Sequence, residues 1–171
     1  PIKLLFQDSR EVHINAQQSY FTPSFPQHFA MLEMVDAGYG RTEDLEGIDL
    51  KGKITLISRG PIENAITFRE KNLNAKEAGA VGCVIYNYDP TPFLAIMLTD
   101  GDIIDPWSLE LLPTLSVTSM GGQHLKEYMK TGLNMELSPH AIASIADFTS
   151  AGPSPDGLSN QFKPELCAPG T

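Results

Sequence analysis

Four groups of residues in this chain have types and spacing that could do chemistry. Ser119 is the first: with His13, His28, His124 or His140 it could form part of a nucleophile–base pair, which also needs an orienting carboxylate and oxyanion donors. Ser119-Met120-Gly121-Gly122, however, reads as the opening of a helix, and a capping hydroxyl there is explained by its chemistry alone. Second, Asp100, Asp102 and Asp105 could offer oxygens to a hard cation. An EF-hand loop needs further acidic ligands and a final Glu, so these three read as solvated loop charge. No His-Glu-x-x-His or Cys-x-x-Cys spacing occurs, so no metal and no cofactor is expected. Third, Gly38-x-Gly40 and Lys51-Gly52-Lys53 lack the glycine spacing of nucleotide-binding loops.

The fourth group is a surface. Arg59 stands where a strand gives way to Gly60-Pro61 and has the chemistry to take a carboxylate or phosphate, against the plainer reading of a solvated cap. Residues 92–107 combine Pro92, Phe93, Leu94, Ile96, Met97, Leu98 and Trp107 with few charges, a composition suited to a protein partner. Leu94, Ile96 and Leu98 also fit a core strand by alternation, and that reading is preferred for those three. Phe93, Trp107 and Arg59 are left as the candidate binding residues.

The elements that must position them centre on residues 51–87. Ile54-Thr55-Leu56-Ile57 is an apolar, partly β-branched run that Arg59-Gly60-Pro61 breaks. From Ala65 to Ala78 the pattern is helical, with Phe68, Asn72, Ala75 and Gly79 on one face. Gly79 suits a helix stop, and residues 81–86 form a second apolar run. Two such strands joined by a helix predict a parallel crossover. Around this unit, Ile2–Phe6 and Val12–Ile14 suggest an antiparallel hairpin, Met31–Val35 a first core strand, and Thr42 a hydroxyl-capped helical turn. Leu115–Val117, a helix from Ser119 to about Lys130, and Met135–Leu137 follow.

At 171 residues, 42% hydrophobic and 19% charged, the chain suits one well-formed core with a flanking piece. A net charge of −9 with 12 basic residues argues against nucleic-acid binding through phosphate neutralisation. No apolar run reaches the roughly 20 residues that cross a bilayer. The start on Pro1-Ile2-Lys3 and the stop on Pro169-Gly170-Thr171 read as the bounds of an excised internal piece. Cys83 sits in an apolar strand and Cys167 in a Pro-rich tail; the pair decides nothing about redox compartment.

The segments GKITLISRG and FREKNLNAKEAGAVGCVIYN, flanked by MVDAGYGRTEDLEGIDLKG and LPTLSVTSMGGQHL, resemble the protease-associated (PA) domain, in the form inserted into secreted subtilisin-like serine proteases. The tail IADFTSAGPSPDGLSNQFKPELCAPGT is similar to the catalytic domain of those enzymes shortly before its nucleophile, with Glu165 in place of the more usual Asp. The resemblance implies an α/β fold, a mixed β-sheet sandwich with flanking helices of the swivelling β/β/α type. It implies a flanking segment at 1–29, a PA domain at 30–142 and a piece of catalytic domain at 143–171. None of the triad segments of that family (Asp-Thr-Gly, His-Gly-Thr, Gly-Thr-Ser-Met-Ala) occurs here, so the chain alone is expected to be non-catalytic. The implied role is accessory: control of substrate access, or protein contacts with a polypeptide substrate, the parent catalytic domain or a second copy, in a secreted or cell-surface endopeptidase. The alternative is a stand-alone binding or sorting module, which would have no use for such a tail.

Overall fold

The computed structural model describes residues 2–5, 11–23, 25, 32–60, 63, 65–91, 93–97, 111–130 and 135–137. The chain divides into two compact units, residues 1–139 and 140–171; the second lies outside the described residues, as do Trp107, His28, His140 and the three aspartates at 100, 102 and 105.

Four parallel strands build the centre of the first unit: β4 (Met34–Asp36), β5 (Ile54–Ser58), β6 (Gly82–Tyr86) and β7 (Thr114–Val117). They lie side by side in chain order, with β3 (Gln17–Gln18) added antiparallel along β7. The five-residue strands β5 and β6 are buried along nearly their whole length, as parallel strands covered on both faces must be. Alternate residues serve opposite layers. Ile54, Leu56 and Val84 pack with Leu125 of α3 (Ser119–Met129), while Ile57, Cys83 and Ile85 pack with Ala75 of α2 (Phe68–Glu77). The expected parallel crossover through 51–87 is therefore present, as α2 between β5 and β6.

A second, three-stranded antiparallel sheet joins β1 (Ile2–Leu5) to β2 (Glu11–Ile14) on one side and to β8 (Met135–Leu137) on the other. The hairpin read from the sequence is its β1–β2 half. Ile2 faces Ile14 across one pair and Leu137 across the other, and Ile14 inserts into the core beneath Val117 and Leu125.

Several local expectations are corrected. The helix expected from Ala65 begins at Phe68, because Thr67 and Glu70 form a capping box: the Glu70 N–H donates to Thr67 Oγ1 at 3.1 Å and the Thr67 N–H to Glu70 Oε2 at 2.7 Å. The strand expected at 31–35 runs from Met34 to Asp36. The turn α1 (Thr42–Leu45) is held by the Asp44 carboxylate, which accepts the N–H groups of Tyr39 and Arg41, and not by the Thr42 hydroxyl. α3 is capped by Thr118, whose hydroxyl accepts the Gly121 N–H at 3.1 Å, so Ser119 is a first-turn residue and not the cap.

The apolar run after Phe93 does alternate, in the opposite phase to the one expected. Ala95 and Met97 are fully buried and Ile96 points outward, 40% exposed. Pairing with Tyr20 decides this: Tyr20 N–H donates to Ala95 O at 3.0 Å and Met97 N–H to Tyr20 O at 3.3 Å. The buried Ser116 hydroxyl also takes the Ala95 N–H at 2.9 Å.

Candidate functional site

β4 to β7 all point the same way, so their following loops gather along one edge of the sheet. In open parallel sheets this carboxyl edge is where ligands are held. Ser58 and Tyr86, the last residues of β5 and β6, stand in register, and the chain leaves them through Arg59-Gly60 and Asn87-Tyr88. The Arg59 N–H donates to Tyr86 O at 2.8 Å and the Asn87 N–H to Val117 O at 3.1 Å. Both residues are thus fixed by the sheet before their side chains are considered.

The Arg59 side chain lies between two rings, its Cζ 5.2 Å from the Tyr88 centroid and 5.3 Å from that of Phe93. A cation over aromatic faces at this distance is attracted by the ring quadrupoles. Arg59 Nη1 donates to Asn87 Oδ1 at 3.0 Å. Asn87 is fully buried, and its amide also donates to Asp89 Oδ1 at 3.0 Å and to Thr91 O at 2.8 Å while its oxygen accepts the Tyr88 N–H at 3.0 Å. Asp89 Oδ1 accepts the Thr91 N–H and hydroxyl, and these bonds, with a smaller contribution from Arg59, lower the Asp89 pKa. On the far side Phe93 rests on Phe68 of α2, centroids 5.9 Å apart. The guanidinium is consequently held by a hydrogen-bonded loop and two rings, with Tyr88 47% exposed.

Beside it α2 anchors the neighbouring loops. Lys71 is 1% exposed, and its ammonium donates to Tyr39 O and, at 3.0 Å, to Ser58 O. Burial above all, and then the Arg41 charge, brings its pKa down to about 8, with Asp44 opposing. Asn74 Nδ2 donates to Gly40 O at 3.0 Å. The Tyr39 ring covers Gly60, where an added Cβ would sit 3.0 Å from Tyr39 Cδ1, and Arg41 Cζ stands 5.5 Å from the same ring.

Two of the three binding residues expected from sequence, Arg59 and Phe93, are therefore brought into contact; Trp107 lies outside the described residues. Tyr88, Asn87 and Lys71 were missed. Lys71 was within reach of the sequence pattern, because it falls on the same helical stripe as Phe68 and Ala75, where a charge is out of place. Asn87 was legible only as part of a turn-rich Asn-Tyr-Asp-Pro-Thr segment. Among the described residues Ser119 is in no such constellation, and the ring beside His124 is Tyr128 of the same helix, 6.4 Å away. Among the described residues no group of three or more His, Cys, Asp or Glu side chains gathers to hold a metal ion, and no helix is long and apolar enough to cross a membrane.

Comparison with known proteins agrees with this architecture. The PA domain family profile matches residues 24–125. The minor extracellular protease Vpr of Bacillus subtilis is 33% identical over 144 residues, covering 81% of this chain and 16% of that protein. A C5a peptidase of Streptococcus pyogenes serotype M3 is 32% identical over 139 residues, covering 78% of the chain and 10% of its own length. An aminopeptidase from Aneurinibacillus sp. strain AM-1 shares the fold with a TM-score of 0.57 at 24% identity, over 79% of this chain and 29% of that one. The chain thus spans about a sixth or less of the curated relatives it matches.

Proposed function

The chain belongs to the PA domain family, and from that premise we propose that it is a non-catalytic accessory module of a secreted or cell-surface subtilisin-like serine endopeptidase. In that reading it is inserted between the segments carrying the catalytic histidine and serine. It governs which polypeptides reach the cleft, or makes protein contacts beside it. The observation that carries this reading is the pairing of β1 with β8. Ile2 lies opposite Leu137 and Leu4 opposite Met135, so the two strands that bracket the matched residues 24–125 run antiparallel and adjacent. A domain whose ends meet can be set into a host fold at the cost of one hairpin-sized gap.

Two further points support it. Relatives named as an extracellular protease and a C5a peptidase carry similar sequence, and the same fold lies within an aminopeptidase. A module found beside different peptidases fits a task done to polypeptides generally, namely binding and steric exclusion, which change access and positioning without bond chemistry. The surface at Arg59, Tyr88 and Phe93, with Trp107 in the same loop region of the sequence, is the proposed contact. The experiment is labelling with a fluorophosphonate: the parent protease is expected to react outside residues 1–139 and this chain alone not at all. Stoichiometric labelling at Ser119 would overturn the reading in favour of an independent hydrolase.

A further inference from the structure

We propose that Arg59 is the anchor for the side-chain carboxylate of an aspartate or glutamate in an extended polypeptide laid along the carboxyl edge of the sheet. The polypeptide partner rests on the accessory reading above; the carboxylate rests on the surroundings of Arg59 itself. A guanidinium offers five N–H donors in a planar fork. Here the rings of Tyr88 and Phe93 flank it, and among the described residues one hydrogen bond, to Asn87, and no ion pair engages it. A cation with rings beside it and donors left over along its edge is matched by a flat anion arriving edge-on, which is the geometry of a bidentate carboxylate. Asp89 is near enough for Arg59 to help lower its pKa, but its Oδ1 takes the Asn87 amide and both Thr91 donors, and among the described residues it makes no ion pair with Arg59.

The local backbone also argues for a side chain over a chain terminus. Free carboxyl ends are commonly captured by unpaired backbone N–H groups. At this edge four N–H groups are committed: Arg59 to Tyr86 O, Gly60 to Ser58 Oγ, Tyr88 to Asn87 Oδ1 and Thr91 to Asp89 Oδ1. The side-chain fork of Arg59 is the charged donor set beside them.

The test is a titration of the ¹⁵N-labelled chain, following the Arg59 Nε–Hε signal and the backbone signals of Asn87 and Tyr88. The probes are the peptide Ac-Ala-Ala-Glu-Ala-Ala-NH2, its Gln counterpart, and all-Ala Ac-Ala-Ala-Ala-Ala-Ala with a free carboxyl end, each to about 20 mM. The Glu peptide is expected to give saturable shifts and to bind about tenfold or more tighter than either other probe, in line with a charge-assisted bidentate pair. Arg59→Lys is expected to lose most of that preference and Arg59→Gln all of it. Equal binding of Glu and Gln peptides, tighter binding of the free-acid peptide, a preference that survives Arg59→Gln, or no shift with any probe would each overturn the proposal. Should Arg59→Gln fail to fold, Tyr88→Leu and Phe93→Leu carry the test, with the preference expected to fall severalfold in each. Failure here leaves the accessory reading standing, because that reading is tested separately by excising the domain from the parent protease.

Discussion

Asn72 offers the sharpest test of how the fold is held. It is fully buried on α2, its amide donates to Leu112 O at 2.9 Å and to Thr114 Oγ1 at 2.8 Å, and its oxygen accepts the Leu112 N–H at 2.9 Å. One side chain thereby fixes the backbone that leads into β7. Asn72→Leu keeps the branched heavy-atom skeleton and strands the Leu112 N–H, while Leu112 O retains the Thr114 hydroxyl at 3.0 Å. A buried unpaired donor costs about 1–3 kcal/mol, and the lost bond to Thr114 adds about 1, giving a loss of about 2–4 kcal/mol that does not depend on pH. Asn72→Asp keeps the acceptor for Leu112 N–H but turns a second oxygen toward Leu112 O and Thr114 Oγ1, with no cation beside it. Burial then raises the carboxyl pKa in the folded state above its unfolded value of about 3.9. A raised acid contributes its full stability below the unfolded pKa and loses it as pH rises through the folded one, by up to about 1.4 kcal/mol per pH unit. The protonated acid can also donate to Leu112 O. Urea unfolding followed by near-UV circular dichroism, at about pH 4.5 and about pH 7.5, should therefore show Asn72→Asp closer to the wild type at the acid pH. An Asn72→Leu variant within about 0.5 kcal/mol of wild type, or an Asn72→Asp deficit that grows on acidification, would refute the reasoning.

Three other outcomes follow from the same packing. The Lys71 pKa lies near 8, below its ordinary 10.5, so the unfolded chain binds the extra proton between those values. Relative to Lys71→Met, wild-type stability should rise with pH from about 8 to about 10.5, by at most about 3 kcal/mol, in urea melts stepped through that window; a fall would contradict the assignment. Gly122→Ala would set a Cβ against Tyr86 Cγ and Cβ and within 2.7 Å of its Cδ2, and is expected to lose about 1–3 kcal/mol. Gly121→Ala, 3.2 Å from Ile14 Cγ2, should be milder in the same urea melts. Thr118→Ala should lose about 1 kcal/mol through the helix cap, while Ser119→Ala should leave both stability and any peptide binding unchanged.

How much of this was legible beforehand depends on what each residue answers to. The β5–α2–β6 unit is written in local pattern: apolar runs, a helical stripe and Gly79, whose φ of +94° suits glycine. The Thr67–Glu70 box was equally present, and overlooking it displaced the helix start by three residues. The segment 93–97 has apolar residues in both registers, so its phase rests on Tyr20 and Ser116, which are remote in sequence. The site divides the same way. Arg59 and Phe93 announce themselves by position after a strand and by an uncharged loop. Tyr88 joins them only because Ser58 and Tyr86 end in register, and Asn87 becomes a buried hub only once Arg59 and Thr91 converge on it. Lys71 was hidden by the habit of assigning lysine to the solvent face, when the carbonyls that pair it belong to the Tyr39 loop and to the end of β5.

An accessory insert and a seat of catalysis differ most plainly in what their removal does. The most direct measurement replaces residues 5–134 of the parent protease with Asn-Gly, closing a two-residue hairpin between Leu4 and Met135, which face each other across β1 and β8. Hydrolysis of a small peptide ester and of a folded protein substrate are then compared with the intact enzyme. The account predicts small-ester turnover within about threefold of intact and cleavage of the protein substrate changed about tenfold or more. Loss of turnover on both substrates, in a variant that still folds, would contradict it.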